Sequence, residues 1–226
     1  MDRLTITLPT FLRISASTPR GMVSQLNTFT KPGGYDFYKV FKRLAAGIAS
    51  GAINLAQAEE DIGQIVQKPE REHTLEAIKT FNEWHSKQNL IWQAPPRDKF
   101  KSKSGLLAVR LEPELAFTYT GGTNTSIIYL WNLKKPELKP DLAAEGLQLL
   151  MSNLVGAHYQ FGIFDLRKNQ IRGAETISAA TNARLQNNLR LVEEVWKDIH
   201  TPSMSIEDTL SHISSLKLPP PSPPAS

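Results

Sequence analysis

The chain has 226 residues, 40% of them hydrophobic and 21% charged, with a formal net charge of +4 and a pI near 9.2, which fits one domain, or a domain with an accessory unit, that buries a core. It has no cysteine, so a disulfide framework, a thiol nucleophile and a thiolate zinc site are excluded, and any metal would be held by oxygen or imidazole. No apolar run approaches the roughly 18 to 20 residues that span a bilayer, and MDRLTITLPTFLRI lacks a basic segment followed by an uninterrupted apolar one, so a cytoplasmic location and no membrane partner are expected.

Residues 1 to 34 contain TLPTF, ASTPRG and KPGG, where Pro and Gly interrupt each apolar run, and they predict an extended lead-in. From Tyr35 the pattern turns helical, with Phe37, Phe41, Leu44 and Ile48 on one face and an end near Ser50 and Gly51. Asn54 can cap a second helix, striped by Leu55, Ile62, Ile65 and Val66. Pro69 suits the first turn of a third, whose apolar face is Leu75, Ile78, Phe81 and Trp84. Residues 35 to 92 therefore predict a helical unit whose last helix packs on the core.

The text QAPPRDKFKSKS, within residues 93 to 104, predicts an exposed basic linker. After it the period becomes two, and residues 105 to 200 predict a mixed α/β core. Leu107, Val109, Leu111, Leu115, Phe117 and Tyr119 alternate with polar residues, while Pro113 requires an edge position, a bulge or a break into two strands. Gly121-Gly122 supplies a hairpin turn, and IIYLWNLKKPEL (127 to 138) reads as a central strand, apolar on both faces, that ends in Asn132-Leu133-Lys134. Pro140 or Asp141 begins a helix striped by Leu142, Leu147, Leu150, Met151 and Leu154. YQFGIFDL is a strand, Lys168-Asn169-Gln170 a turn and Ile171-Arg172 the start of a partner strand. Ser178 or Thr181 opens a last helix with Leu185, Leu189, Val192, Trp196 and Ile199 on one face. Residues 201 to 226 form a tail whose LPPPSPPAS favours extended, disordered chain. The fold class is α+β: a helical unit, then a small mixed sheet flanked by helices.

The succession of helix, strands, helix and strand over residues 70 to 170 resembles the αβββαβ core of the restriction-endonuclease-like superfamily, PD-(D/E)xK. It is also similar to a group of bacterial proteins with a helical front end before such a core. The resemblance implies a Pro-Asp acid and an (Asp/Glu)-x-Lys acid that bind Mg²⁺, with a lysine that activates water or stabilises charge. The chemistry explains these residue types, because hard Mg²⁺ prefers carboxylate oxygen and lowers the pKa of its water.

Pro113-Glu114 stands where Pro-Asp would be, and Asn132-x-Lys134 where (Asp/Glu)-x-Lys would be. Glu114 substitutes for the acid and Lys134 matches. Asn132 offers an oxygen but none of the charge. A migrated acid would come from a neighbouring helix, and Glu145 or Glu83 are the candidates for a metal ligand beside Glu114. Gln148 matches part of a glutamine and tyrosine pair found in some nuclease families, and Ser152 replaces the tyrosine.

Plainer readings stand beside these. Alternation puts Glu114 on a polar strand face with Arg110 and Glu112, and Lys134 and Lys135 form an ordinary charged strand end. Lys39, Lys42 and Arg43 in YDFYKVFKR, and Lys99, Lys101 and Lys103 in the linker, are the candidate phosphate contacts. The five histidines have no metal-ligand spacing, and the chain has no nucleophile elbow, P-loop or dinucleotide fingerprint. The expectation is DNA or RNA association on a nuclease-like core without efficient cleavage. The alternatives are a non-catalytic module that binds another protein, and a Mg²⁺-dependent nuclease with a migrated acid.

Overall fold

The computed structural model describes residues 3–30, 38–156, 158–201 and 206–216. Its first helices arise where a threonine stands just ahead of a proline. Thr7 Oγ1 accepts the Thr10 amide at 3.4 Å with Pro9 in the first turn, and Thr18 Oγ1 accepts that of Gly21 at 3.2 Å with Pro19 in the first turn. Proline has no amide hydrogen to lose there, so it starts these helices instead of breaking them. Thus β1 (Leu4–Thr7) leads into α1 (Leu8–Ser15) and α2 (Pro19–Asn27). The extended lead-in expected over 1–34 is corrected: Leu4, Ile6, Leu8, Phe11, Leu12 and Ile14 are buried in the main core, and KPGG lies outside the described residues.

Three helices come next: α3 (Lys39–Ala49), α4 (Leu55–Gly63) and α5 (Lys68–His85). Asn54 and Gln57 cap α4 reciprocally at 3.0 and 2.9 Å, and Pro69 occupies the first turn of α5. Phe41, Leu44, Ile48, Ile62, Ile78 and Phe81 share one core. Val66 is 93% exposed, because α4 ends at Gly63 before its stripe reaches that residue. Phe37 lies outside the described residues.

One hairpin is then divided between two sheets. β2 (Leu90–Gln93) pairs antiparallel with β5 (Leu115–Tyr119), and β3 (Asp98–Lys101) with β4 (Leu107–Leu111). The register is the same in both halves: counting on from Gln93 opposite Ala116 leads without a slip to Asp98 opposite Leu111. At the gap this register sets Pro96 against Pro113, and neither proline can donate to a ladder. The break into two strands is therefore the outcome at Pro113. The linker expected over 93–104 is corrected as well, since β3 is an edge strand. Phe100 packs on the core, and Lys99 and Lys101 face out, as suits an edge that must not pair with another chain.

β6 (Thr125–Trp131) is followed by α6 (Pro140–Asn153), β7 (Tyr159–Asp165), β8 (Gln170–Arg172), α7 (Ala179–Ile199) and α8 (Ile206–Ser215). The sheets run β1-β4-β3 and β2-β5-β6-β7-β8, and each mixes parallel and antiparallel pairs. β6 is buried on both faces. Tyr129 and Trp131 pack with α1, α6 and α7, while Ile128 and Leu130 pack with the α3 to α5 core. α6 crosses over between parallel β6 and β7, closely enough that a Cβ at Gly146 would lie 2.8 Å from Ile163 Cδ1. The tail expected from 201 contains α8, whose Ile213 joins the main core, and LPPPSPPAS lies outside the described residues.

The buried N-terminal segment yields a direct prediction. Phe11→Ala should lower unfolding free energy by about 3–5 kcal/mol in urea denaturation, the loss for a large buried aromatic. A loss under about 1 kcal/mol would mean that the segment is peripheral to the core.

Candidate functional site

The bend that divides the hairpin also positions Glu114. β5 pairs with β6 only as far as Leu115 opposite Ile128, so Leu130, beyond that end, has no strand acceptor on the β5 side. Glu114 supplies one: its Oε2 accepts the Leu130 amide at 2.8 Å. Its Oε1 lies 2.9 Å from Lys42 Nζ, which reaches across from α3 and stands 5.5 Å from the centre of the Tyr129 ring. Glu114 is 7% exposed, and burial pushes its carboxyl above the usual range even though Lys42 and the Leu130 amide pull the other way. The solvated strand face expected for Glu114 with Arg110 and Glu112 is corrected. Pro113 breaks the alternation, leaving exposed Arg110 3.9 Å from Glu112 while Glu114 turns inward.

Asn132 and Lys134 do not share a face. β6 ends at Trp131, whose carbonyl accepts the Leu166 amide at 3.2 Å, and the chain bends from Lys134 onward, so alternation no longer relates the two residues. Asn132 is 5% exposed, and its Nδ2 has no hydrogen-bond partner among the described residues. Its carbonyl accepts from His73 Nε2 at 2.7 Å. Lys134 is exposed, and its carbonyl accepts from Arg167 Nη1 at 3.3 Å.

Neither proposed replacement acid joins this group. Glu145 is buried, but Arg184 Nε at 2.6 Å and Asn188 Nδ2 at 2.7 Å, both on α7, take its two oxygens. Glu83 is exposed and pairs with Lys87 at 2.8 Å. Among the described residues no three His, Cys, Asp or Glu side chains converge on a point where a metal ion could sit. Gln148 and Ser152 hydrogen-bond to each other at 3.0 Å on the surface of α6. Of the candidate phosphate contacts, Lys42 faces Glu114, Arg43 pairs with Asp61 at 3.0 Å, and Lys39, Lys99, Lys101 and Lys103 are exposed.

Sequence pattern offered Lys42 only as a phosphate contact and gave His73 no role at the site. Lys42 lies 72 positions before Glu114 and carried no local signal of its contact with that residue. His73 did carry one: Glu70, His73 and Thr74 continue the Ala77, Ile78 and Phe81 stripe of α5, and all six are buried. The His73 imidazole is held below its usual value first by burial, and also by the nearby charges of Lys134 and Arg167. Tyr38 meets its ring edge-on at 5.9 Å. Compared with protein-family models and with curated proteins, the chain matches none.

The buried pair gives two expected outcomes. Lys42→Met should destabilise the protein by about 3 kcal/mol at neutral pH by stranding a buried carboxylate, and adding Glu114→Gln should restore most of that loss in a double-mutant cycle by urea unfolding. Additive losses would show that the two groups do not interact. Because the folded-state pKa of Glu114 is raised above 4.5, its contribution is fully present below that value and is lost as pH rises through the folded pKa. Wild type should therefore lose stability relative to Glu114→Gln as pH is raised from 4.5 toward neutrality, and a gain over that interval would contradict the assignment.

Proposed function

We propose that the protein associates with nucleic acid through a restriction-endonuclease-like core that holds its strand acid by an internal ion pair, and so binds without cleaving. The supporting topology is α5, β2, β5, β6, α6 and β7 taken in order. β2, β5 and β6 form an antiparallel meander, and α6 crosses to parallel β7, an αβββαβ succession. The β3 and β4 excursion leaves and rejoins it at the prolines.

The observation that carries the non-cleaving part is Lys42 Nζ at 2.9 Å from Glu114. The residues do not fit Mg²⁺: Glu114 is already neutralised by Lys42, Asn132 brings no charge, and Glu145 is held by α7. Metal-assisted hydrolysis needs a charged oxygen cage, which Glu114, Asn132 and Glu145 do not make.

A second reading, a protein-interaction module, is favoured by one observation. Ile91 is 54% exposed on edge strand β2, beside Trp92 at 39% and Tyr119 at 45%. Exposed apolar side chains on a sheet edge suit a protein partner.

Fluorescence anisotropy with labelled DNA and RNA separates the readings. Binding should weaken steeply as salt rises from about 50 to 200 mM, because phosphate contacts release counterions. Added Mg²⁺ or Mn²⁺ should leave the oligonucleotides intact. Absence of binding at low salt would favour the protein-interaction reading, and metal-dependent cleavage lost in Lys134→Ala would establish an active nuclease instead.

A further inference from the structure

Resting on the nucleic-acid reading, we infer that the phosphate-contacting surface is the basic rim formed by Lys134, Lys135, Lys139, Arg167 and Lys168, at the carboxyl ends of parallel strands β6 and β7. The clusters that sequence pattern singled out lie elsewhere, on α3 and around β3. Of the α3 cluster, Lys42 and Arg43 are already engaged with carboxylates.

The rim is built from two loops fixed to one another. β6 and β7 end level, with Trp131 opposite Asp165. Asp165, itself buried, shapes the second loop by accepting the amides of Arg167 at 3.1 Å and Lys168 at 3.4 Å. Arg167 then ties that loop to the first by donating to the Lys134 carbonyl. Lys168 pairs with Glu137, so the two loops are joined a second time.

All five cationic residues are exposed, and among the described residues Lys134, Lys135 and Lys139 form no ion pair. The opposing carboxylates are few. Glu137 is matched by Lys168, Asp141 shares Arg184, at 3.4 Å, with Glu145, and Glu76 acts on His73 from α5. The amino end of α6 opens into the same rim. Lys139 is its N-cap and makes no side-chain capping bond, so the first-turn amides of a 14-residue helix add partial positive charge there. Asn132, whose buried Nδ2 has no partner among the described residues, begins the first of the two loops.

Excess cations on paired loops beside an uncapped helix start suit a ligand with several phosphates in a row. A lipid surface fits less well. Among the described residues, none of the large apolar side chains that are exposed belongs to residues 132–139 or 166–169, so nothing apolar accompanies the charge.

The test uses the full chain. Lys134→Ala/Lys135→Ala/Lys139→Ala and Lys99→Ala/Lys101→Ala/Lys103→Ala are compared with wild type by anisotropy on labelled single-stranded DNA, duplex DNA and RNA, with phosphatidylserine vesicles as a further arm. Circular dichroism confirms folding, which exposed lysines should leave unchanged. The 134/135/139 variant should bind at least about tenfold more weakly, with the slope of log affinity against log salt reduced by about 2 to 3. The 99/101/103 variant should lose less. DNA against RNA arms report which backbone is preferred. If wild type binds oligonucleotides and the 134/135/139 variant matches it in affinity and slope, the rim assignment is wrong and the proposed function stands. If wild type binds no oligonucleotide, or only vesicles, both fail.

Discussion

The level at which Pro96 faces Pro113 governs how the two sheets are made. A hairpin with an unbroken register would have been one long ladder. With both strands interrupted at the same place, its outer half joins β1 and its inner half joins β6. Glu114 stands at that interruption. Its carboxylate takes the amide of Leu130 that β5 no longer reaches, and it receives the ammonium of Lys42 from the helical unit. One side chain thus ties the bend, the central strand and α3 together. Such a pair holds a specific arrangement more than it adds net stability, because desolvating both groups offsets much of their attraction.

The same pairing decides the chemistry. A carboxylate that is to hold a divalent ion must be free of other cations and close to further acids. Here the nearest cation is covalently part of the fold, and the residue just past the end of β6 brings only the neutral amide of Asn132. What remains at the carboxyl ends of β6 and β7 is positive charge, with Lys134 and Arg167 near enough to influence His73. In the proposed reading such a surface meets phosphates, and among the described residues no cluster of His, Cys, Asp or Glu makes the anionic cage that metal-assisted phosphodiester hydrolysis requires.

Much of the fold was legible wherever a local signal acted locally. Asn54 and Pro69 marked the starts of α4 and α5, and the two apolar faces of residues 127–131 marked a strand covered on both sides. The early prolines misled because they were read as interruptions, whereas a threonine just ahead of each caps a helix whose first turn holds the proline. The site was less legible. Alternation extrapolated past Trp131 placed Asn132 and Lys134 on one face, but the strand had ended, and no local pattern marks where β7 lets it go. The burial of Glu114 depends on Lys42 and Leu130, contacts 72 and 16 positions away, which periodicity does not encode. The buried polar triplet on α5 was visible, yet its partner at Asn132 was not.

The central claim is that Lys42, and no metal ion, balances the charge of Glu114. Crystals grown with Mn²⁺ and measured at a wavelength where manganese scatters anomalously test it most directly. The predicted result is no anomalous peak at Glu114, with the Lys42 ammonium still at its carboxylate. A manganese peak coordinated by Glu114, with Lys42 displaced, would contradict it.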